Sequence, residues 1–289
     1  MPHLISADVA ARYTAAPAAT TVAGVKSLHE SIRSVIGDSH ETFLQGSYRN
    51  DTSIPDLNDV DIVAIRKTTY STYFTGRPST NPILWETIFD EVRTRLEASH
   101  YYRGKTTTRD KCINVAAGFS ADVVPAVEIV NATTDPIAIY SRSRGKERQN
   151  SPRIHHENGK AKHQATNDRY KPTVRMFKRW CRQVLPDPSV APSFYVECLI
   201  YNFTDASFVP DEVDRFANLA SFIVDLRHDD QRIKTVADDK LVLAADEWGA
   251  AAFAAFQHEL RGALELVRQA IGARAQSDAE RLWRAVFHD

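Results

Sequence analysis

The chain has 289 residues, 43% of them hydrophobic and 25% charged, which is the composition of a folded globular protein rather than of a disordered chain, a collagen or a coiled-coil fibre. Its length suits two ordinary domains or one large one. The formal net charge of −1 does not fit a binder of long duplex nucleic acid, which is usually basic overall.

In chain order, the opening Met1-Pro2-His3-Leu4-Ile5-Ser6-Ala7-Asp8 lacks the basic start and apolar run of a secretory signal. No stretch approaches the ~18 uncharged apolar residues of a membrane span. Residues 22–36 place Val25, Leu28, Ile32 and Val35 at helical spacing. Thr42 to Gln45 is a short strand broken by Gly46-Ser47, and Asp59 to Ile65 is a clear strand entered through a Pro/Asp/Asn loop. A second helix is expected over 83–98, after Pro82. Strands follow at Lys111 to Ala117, Ala121 to Val130 and Pro136 to Tyr140. From about residue 165 the pattern is helical to the end, so a mixed α/β domain is expected over 1–145 and a connector with a helical lobe over 146–289. Arg142 to Asp168 has no clean period and reads as the connector.

Cys112, Cys181 and Cys198 form no Cys-x-x-Cys pair, so neither a disulfide framework nor a cysteine zinc site is indicated. His155-His156 lacks further ligands at zinc spacing. A reduced, cytoplasmic protein with no membrane partner is expected. Charge is unevenly spread: residues 141–182 hold thirteen Lys or Arg and three acids. Such a run is often a solvated face, but inside an otherwise acidic chain it also suits a polyphosphate ligand.

Asp59 and Asp61 are two apart on one strand, so they share a face while Val60, Ile62 and Ala64 point the other way. Two like charges side by side call for a cation, and hard oxygen ligands suit Mg²⁺. A solvent-exposed or loop-capping pair has the same spacing. Gly46-Ser47 lets backbone approach a phosphate, and is equally the signature of an ordinary turn. Asp122, within the apolar strand Ser120-Ala121-Asp122-Val123-Val124, is a third acid, or simply an edge residue.

GSYRND, then DVDIVAI, then SADVVPAVE resemble the DNA polymerase β-like nucleotidyltransferase superfamily, whose pattern is GS, DxD and a third Asp. KPTVRMFKRWCRQ followed by PSFYVECLIYN narrows the resemblance to the cGAS/DncV-like nucleotidyltransferases. It covers about residues 40–205. It implies an α+β fold: a polymerase β-like core, with a mixed sheet and flanking helices, plus a C-terminal helical lobe. The active site would lie in a cleft between them.

The resemblance also implies chemistry. Asp59 and Asp61 would hold one Mg²⁺ on the donor triphosphate, and Asp122 would join them at a second, with Mn²⁺ as the alternative ion. Successive transfers would close a cyclic di- or oligonucleotide made from nucleoside triphosphates, UTP or ATP, for an effector in bacterial anti-phage signalling. No obligate double-stranded nucleic acid activator is expected. On the helix from Lys171, Val174, Phe177, Cys181 and Val184 form an apolar stripe. Lys171, Arg175, Lys178 and Arg182 form a basic one, which by itself reads as a solvated face. By resemblance, Lys178 and Ser193 contact the triphosphate and Phe194 stacks on a base. Ser193 has a helix-cap alternative and Phe194 a core-packing one. Asn167 sits where the family's pyrimidine-using, CdnE-like branch places an Asn that pairs with uracil; a loop Asn in a turn is the plain alternative. The rival functions are a nucleotidyltransferase acting on a small molecule, an RNA end or a protein, and a catalytically silent nucleotide or RNA sensor.

Overall fold

The computed structural model describes residues 3–55, 59–72, 83–130 and 136–289. Asp56, Leu57 and Asn58 of the loop expected before the aspartate strand lie outside them, as does Pro82. The chain divides into two compact units. One comprises Pro17–Asp51 and Asp56–His156, the other Met1–Ala16, Thr52–Pro55 and Glu157–Asp289.

The first unit is a seven-stranded mixed sheet backed by helices. Its elements are α2 (Ala19–Ile36), β1 (His40–Gln45), α3 (Gly46–Asn50), β2 (Asp59–Ser71), α4 (Trp85–Ala98), β3 (Thr106–Thr108), β4 (Ile113–Ala117), β5 (Phe119–Ile129), β6 (Ile137–Ser141) and β7 (Lys146–Asn150); α1 (Ala7–Ala11) precedes them in the chain. The strand order is β1-β2-β5-β4-β3, and β6 pairs with the far part of β5 and with β7. β2 and β5 run parallel, which requires a crossover; α4 and the β3–β4 segment supply it.

Alternation along β2 sorts its two faces. Val60, Ile62 and Ala64 are buried in one core with Val25, Leu28, Ile32 and Ile36 of α2 and with Ile88, Phe89, Val92 and Leu96 of α4. Val63 and Ile65 lie on the other face with Ala126 and Ile137. Asp59 and Asp61 belong to that second face, as the two-residue period requires. The α2 stripe ends on fully buried Ile36, with Val35 only partly buried.

The expected boundary at 145 is corrected. β7 pairs with β6 from Lys146 to Asn150 and completes the sheet. The aperiodic connector is this strand followed by α5 (Pro152–Ala165). The N-terminus is also reassigned, because Tyr13 stacks on Phe287 at 3.7 Å and belongs to the helical unit.

The helical unit contains α6 (Tyr170–Val184), α7 (Ser193–Tyr201), α8 (Glu212–Val224), α9 (Ala250–Gly272) and α10 (Gln276–Val286). Their apolar stripes enclose Trp180, Trp248 and Trp283, and Phe177 stacks on Phe216 at 4.7 Å. Among the described residues, no helix is long and apolar enough to cross a membrane.

Candidate active site

Register places three carboxylates on one face of the sheet, on adjacent strands. Asp61 of β2 lies directly opposite Asp122 of β5, and Asp59 lies opposite Ser120. Directly paired residues share a face, so Asp59, Asp61 and Asp122 project on the same side. Asp59 is exposed, and Asp61 and Asp122 are partly buried.

The glycine turn abuts this face. Gln45, the last residue of β1, is opposite Asp61, and the chain then turns at Gly46 with φ +66°. A Cβ built on Gly46 would stand 2.1 Å from Asp61 Oδ2. Both the left-handed backbone and the carboxylate contact therefore demand glycine. Ser47 follows as the second residue of α3.

Asp122 is held from the neighbouring strand. Asn114, opposite it on β4, donates Nδ2 to Asp122 Oδ1 at 2.7 Å, and Arg109 Nη1 reaches the same oxygen at 3.4 Å. Cys112 is buried nearby. Burial pushes its thiol up to about 12, and the Asp122 carboxylate adds to the shift. A thiol held protonated is not a nucleophile, so Cys112 is no rival to the acids.

The donor set is all oxygen, carried on adjacent strands of one sheet, and fits a hard divalent cation such as Mg²⁺. Among the described residues, the trio with ligand atoms within 4.8 Å of one another is instead His3, Asp211 and Asp214. There Asp211 Oδ1 accepts the N–H groups of Val213 and Asp214 at 2.9 Å each and His3 Nε2 at 2.8 Å. That trio is accounted for as the N-cap of α8.

The remaining sequence candidates belong to the helical unit. Lys178 is not on a solvated face. Its side chain is 3% exposed, and Nζ lies 2.6 Å from Glu197 Oε2, itself 4% exposed. Thr52 completes the cluster: its hydroxyl donates to Glu197 Oε2 at 2.7 Å and accepts from Lys178 Nζ at 3.1 Å. Arg175 is buried as well, donating Nε to Thr14 O at 2.7 Å. Half of the basic stripe is thus covered, by the N-terminal segment and by α7.

Ser193 is exposed and is the first residue of α7. Pro192 is the N-cap, and no side chain caps the helix. The core-packing alternative for Phe194 does not hold, since it is 46% exposed. Asn167 is exposed between α5 and α6 with φ +49°, followed by Asp168 at +62°. Asn is among the few residues that tolerate that left-handed turn.

Sequence reasoning missed Asn114, Thr52 and Glu197. For Asn114 a signal existed. β4 and β5 turn at Gly118, φ +81°, and a hairpin centred there makes Asn114 the partner of Asp122. Nothing in the local pattern marks Thr52 or Glu197.

A mixed sheet carrying GS, DxD and a third Asp, joined in the chain to a helical unit, is the architecture of the polymerase β-like nucleotidyltransferases. The model of the cGAS/DncV-like nucleotidyltransferase C-terminal helical domain matches residues 157–265. The cyclic UMP-AMP synthase of Rhodothermus marinus is 30% identical over 230 residues, covering 71% of this chain and 79% of that protein. A cyclic dipurine nucleotide synthase of Elizabethkingia meningoseptica is 27% identical over 201 residues, covering 62% and 68%. The structure of Rhodothermus marinus CdnE c-UMP-AMP synthase with Apcpp and Upnpp superposes with a TM-score of 0.73 at 25% identity, covering 89% of this chain and 97% of that one. The chain belongs to the cGAS/DncV-like nucleotidyltransferase family.

Proposed function

We propose that this protein joins nucleoside triphosphates into a cyclic dinucleotide or short cyclic oligonucleotide containing uridine, as a second messenger in bacterial anti-phage signalling. The observation that carries the reading is the register of Asp61 against Asp122, with Asp59 on the same face and Gly46 closing on the Asp61 carboxylate. Kinship to a cyclic UMP-AMP synthase supports both the cyclic product and the uridine.

Asp59 and Asp61 would hold one divalent cation, and Asp122 would join them at a second. Bound there, the ions supply charge neutralisation for the triphosphate and acidify the attacking ribose hydroxyl. Gly46, lacking a side chain, leaves its backbone approachable by phosphate. Phe194 presents an exposed ring of the kind on which a base stacks. Most of the catalysis would come from positioning and charge, since phosphoryl-type transfer asks little covalent chemistry of the protein.

The test is to incubate purified protein with the four labelled nucleoside triphosphates and Mg²⁺ or Mn²⁺, then resolve products resistant to phosphatase. A cyclic product that contains uridine is expected. Asp61→Asn and Asp122→Asn should each abolish it while leaving the melting temperature within a few degrees. Label transferred only to an added small molecule, RNA or protein would replace this reading with a modifying transferase. No transfer to any acceptor would replace it with a silent sensor.

A further inference from the structure

The third acid is gripped by a buried neutral amide. Asn114 is 6% exposed, and its Nδ2 donates to Asp122 Oδ1 at 2.7 Å and to Ser120 Oγ at 2.9 Å, with Ala121 O at 3.5 Å. Three acceptors around one nitrogen fix the amide's orientation, because its oxygen in that place would face only acceptors or a hydroxyl. Ser120 is the residue opposite Asp59. One amide therefore ties together the stretch of β5 that faces both β2 acids.

An amide donor has a property that a cationic one lacks. It restrains a carboxylate without cancelling its charge, so the acid keeps its full attraction for a cation. Arg109 also reaches Oδ1, but at 3.4 Å and from a side chain 54% exposed, where an ion pair contributes little. The second oxygen, Oδ2, is left outside the Asn114 bond. Outer-shell donors of this kind orient metal-ligating carboxylates and commonly account for about 10–100-fold in metal affinity.

We propose that Asn114 is a positioning residue for the transfer reaction: its amide fixes Oδ1 of Asp122 and so presets that carboxylate as a metal ligand. This rests on the reading of Asp59, Asp61 and Asp122 as the metal site.

The test compares Asn114→Thr with Asn114→Val. The two side chains are alike in shape and suited to a strand, but only threonine keeps a donor. Mn²⁺ binding is followed by electron paramagnetic resonance, with a non-hydrolysable triphosphate analogue present, and melting temperature checks the fold. The valine variant should bind Mn²⁺ about tenfold more weakly than wild type, and the threonine variant within about threefold of it. Should valine prevent folding, Asn114→Ser against Asn114→Ala makes the same comparison. Equal Mn²⁺ affinity in the donor-bearing and donor-less variants, with Asp122→Asn losing the metal, overturns the role of Asn114 alone. Unaltered Mn²⁺ binding in Asp122→Asn overturns the metal site and this inference with it.

Discussion

Asp61 occupies the space that a side chain at Gly46 would need, with Oδ2 2.1 Å from the position of the missing Cβ. The glycine of the GS turn and the second acid of the DxD strand are thus one packing unit, although fifteen positions separate them in the chain. Gly46→Ala must displace that carboxylate or distort the turn. An error of ~1 Å at a catalytic group can cost about 100-fold in rate, so a loss of at least that size in kcat/KM is expected. Gly104→Ala is the control, since Gly104 has φ +73° but, among the described residues, nothing within 4 Å of a Cβ. It carries the backbone strain alone and should lose about 1 kcal/mol of stability with activity unchanged. Equal activity losses in the two variants would refute the contact.

Lys178 and Glu197 form a buried pair, so a nucleotide-binding test on Lys178 must first separate folding from affinity. Lys178→Met strands a buried carboxylate and should destabilise by about 3–5 kcal/mol. Lys178→Met with Glu197→Leu removes both charges and should recover most of that loss, and Thr52→Val should cost only about 1 kcal/mol. Urea unfolding measures all three. If Lys178 contacts the triphosphate, the stable double variant still binds a non-hydrolysable analogue more weakly. Wild-type affinity in that variant would make the pair purely structural.

The fold was legible in the sequence where a period of two or 3.6 ran uninterrupted. β2, α4 and α6 begin close to the expected places, because burial of one face fixes both period and direction. β7 was hidden because Lys146-Glu147-Arg148-Gln149-Asn150 has no apolar alternation; it is an edge strand held by β6. The acids and the glycine turn were legible because their chemistry needs particular residue types at particular places. Lys178 was legible as a residue but not in its setting. Its partners Thr52 and Glu197 stand 126 and 19 positions away, and no local pattern brings them together.

Two histidines give the sheet unit a pH-dependent stability. His29 on α2 and His40 on β1 are held below the usual histidine range, mainly by burial, and each has a buried Nε2 with no hydrogen-bond partner among the described residues. Glu30 and the Thr42 backbone oppose the shift at His29 while Arg33 reinforces it; at His40, Glu91 opposes it and Arg95, Arg66 and Lys67 reinforce it. The folded protein thus binds fewer protons than the unfolded chain below about pH 6.5. Stability is full above that value and falls as pH drops through it. Chemical denaturation should show stability falling as the pH is lowered from about 7.5 to about 5.5. His29→Gln/His40→Gln should remove most of that slope, and an unchanged slope would locate the protons elsewhere.

Base selection gives the sharpest test of the uridine reading. Asn167 has two uses for its side chain: stabilising a left-handed turn, where φ is +49°, and offering a donor and an acceptor to the uracil edge. Asn167→Gly separates them. Glycine adopts the turn without strain, so folding is preserved, while the carboxamide is gone. Asn167→Ser keeps a hydroxyl but shortens the reach. If Asn167 reads uracil, both variants lose at least one hydrogen bond made only to the correct base, worth about 1–1.5 kcal/mol or about tenfold in the UTP-to-ATP ratio of incorporation. The wild type should place uridine in its main product, and both variants should shift toward purines while melting near the wild-type temperature. A wild-type product made of purines alone, or a glycine variant with unchanged preference, assigns Asn167 to the turn and leaves the carboxylate assignment standing.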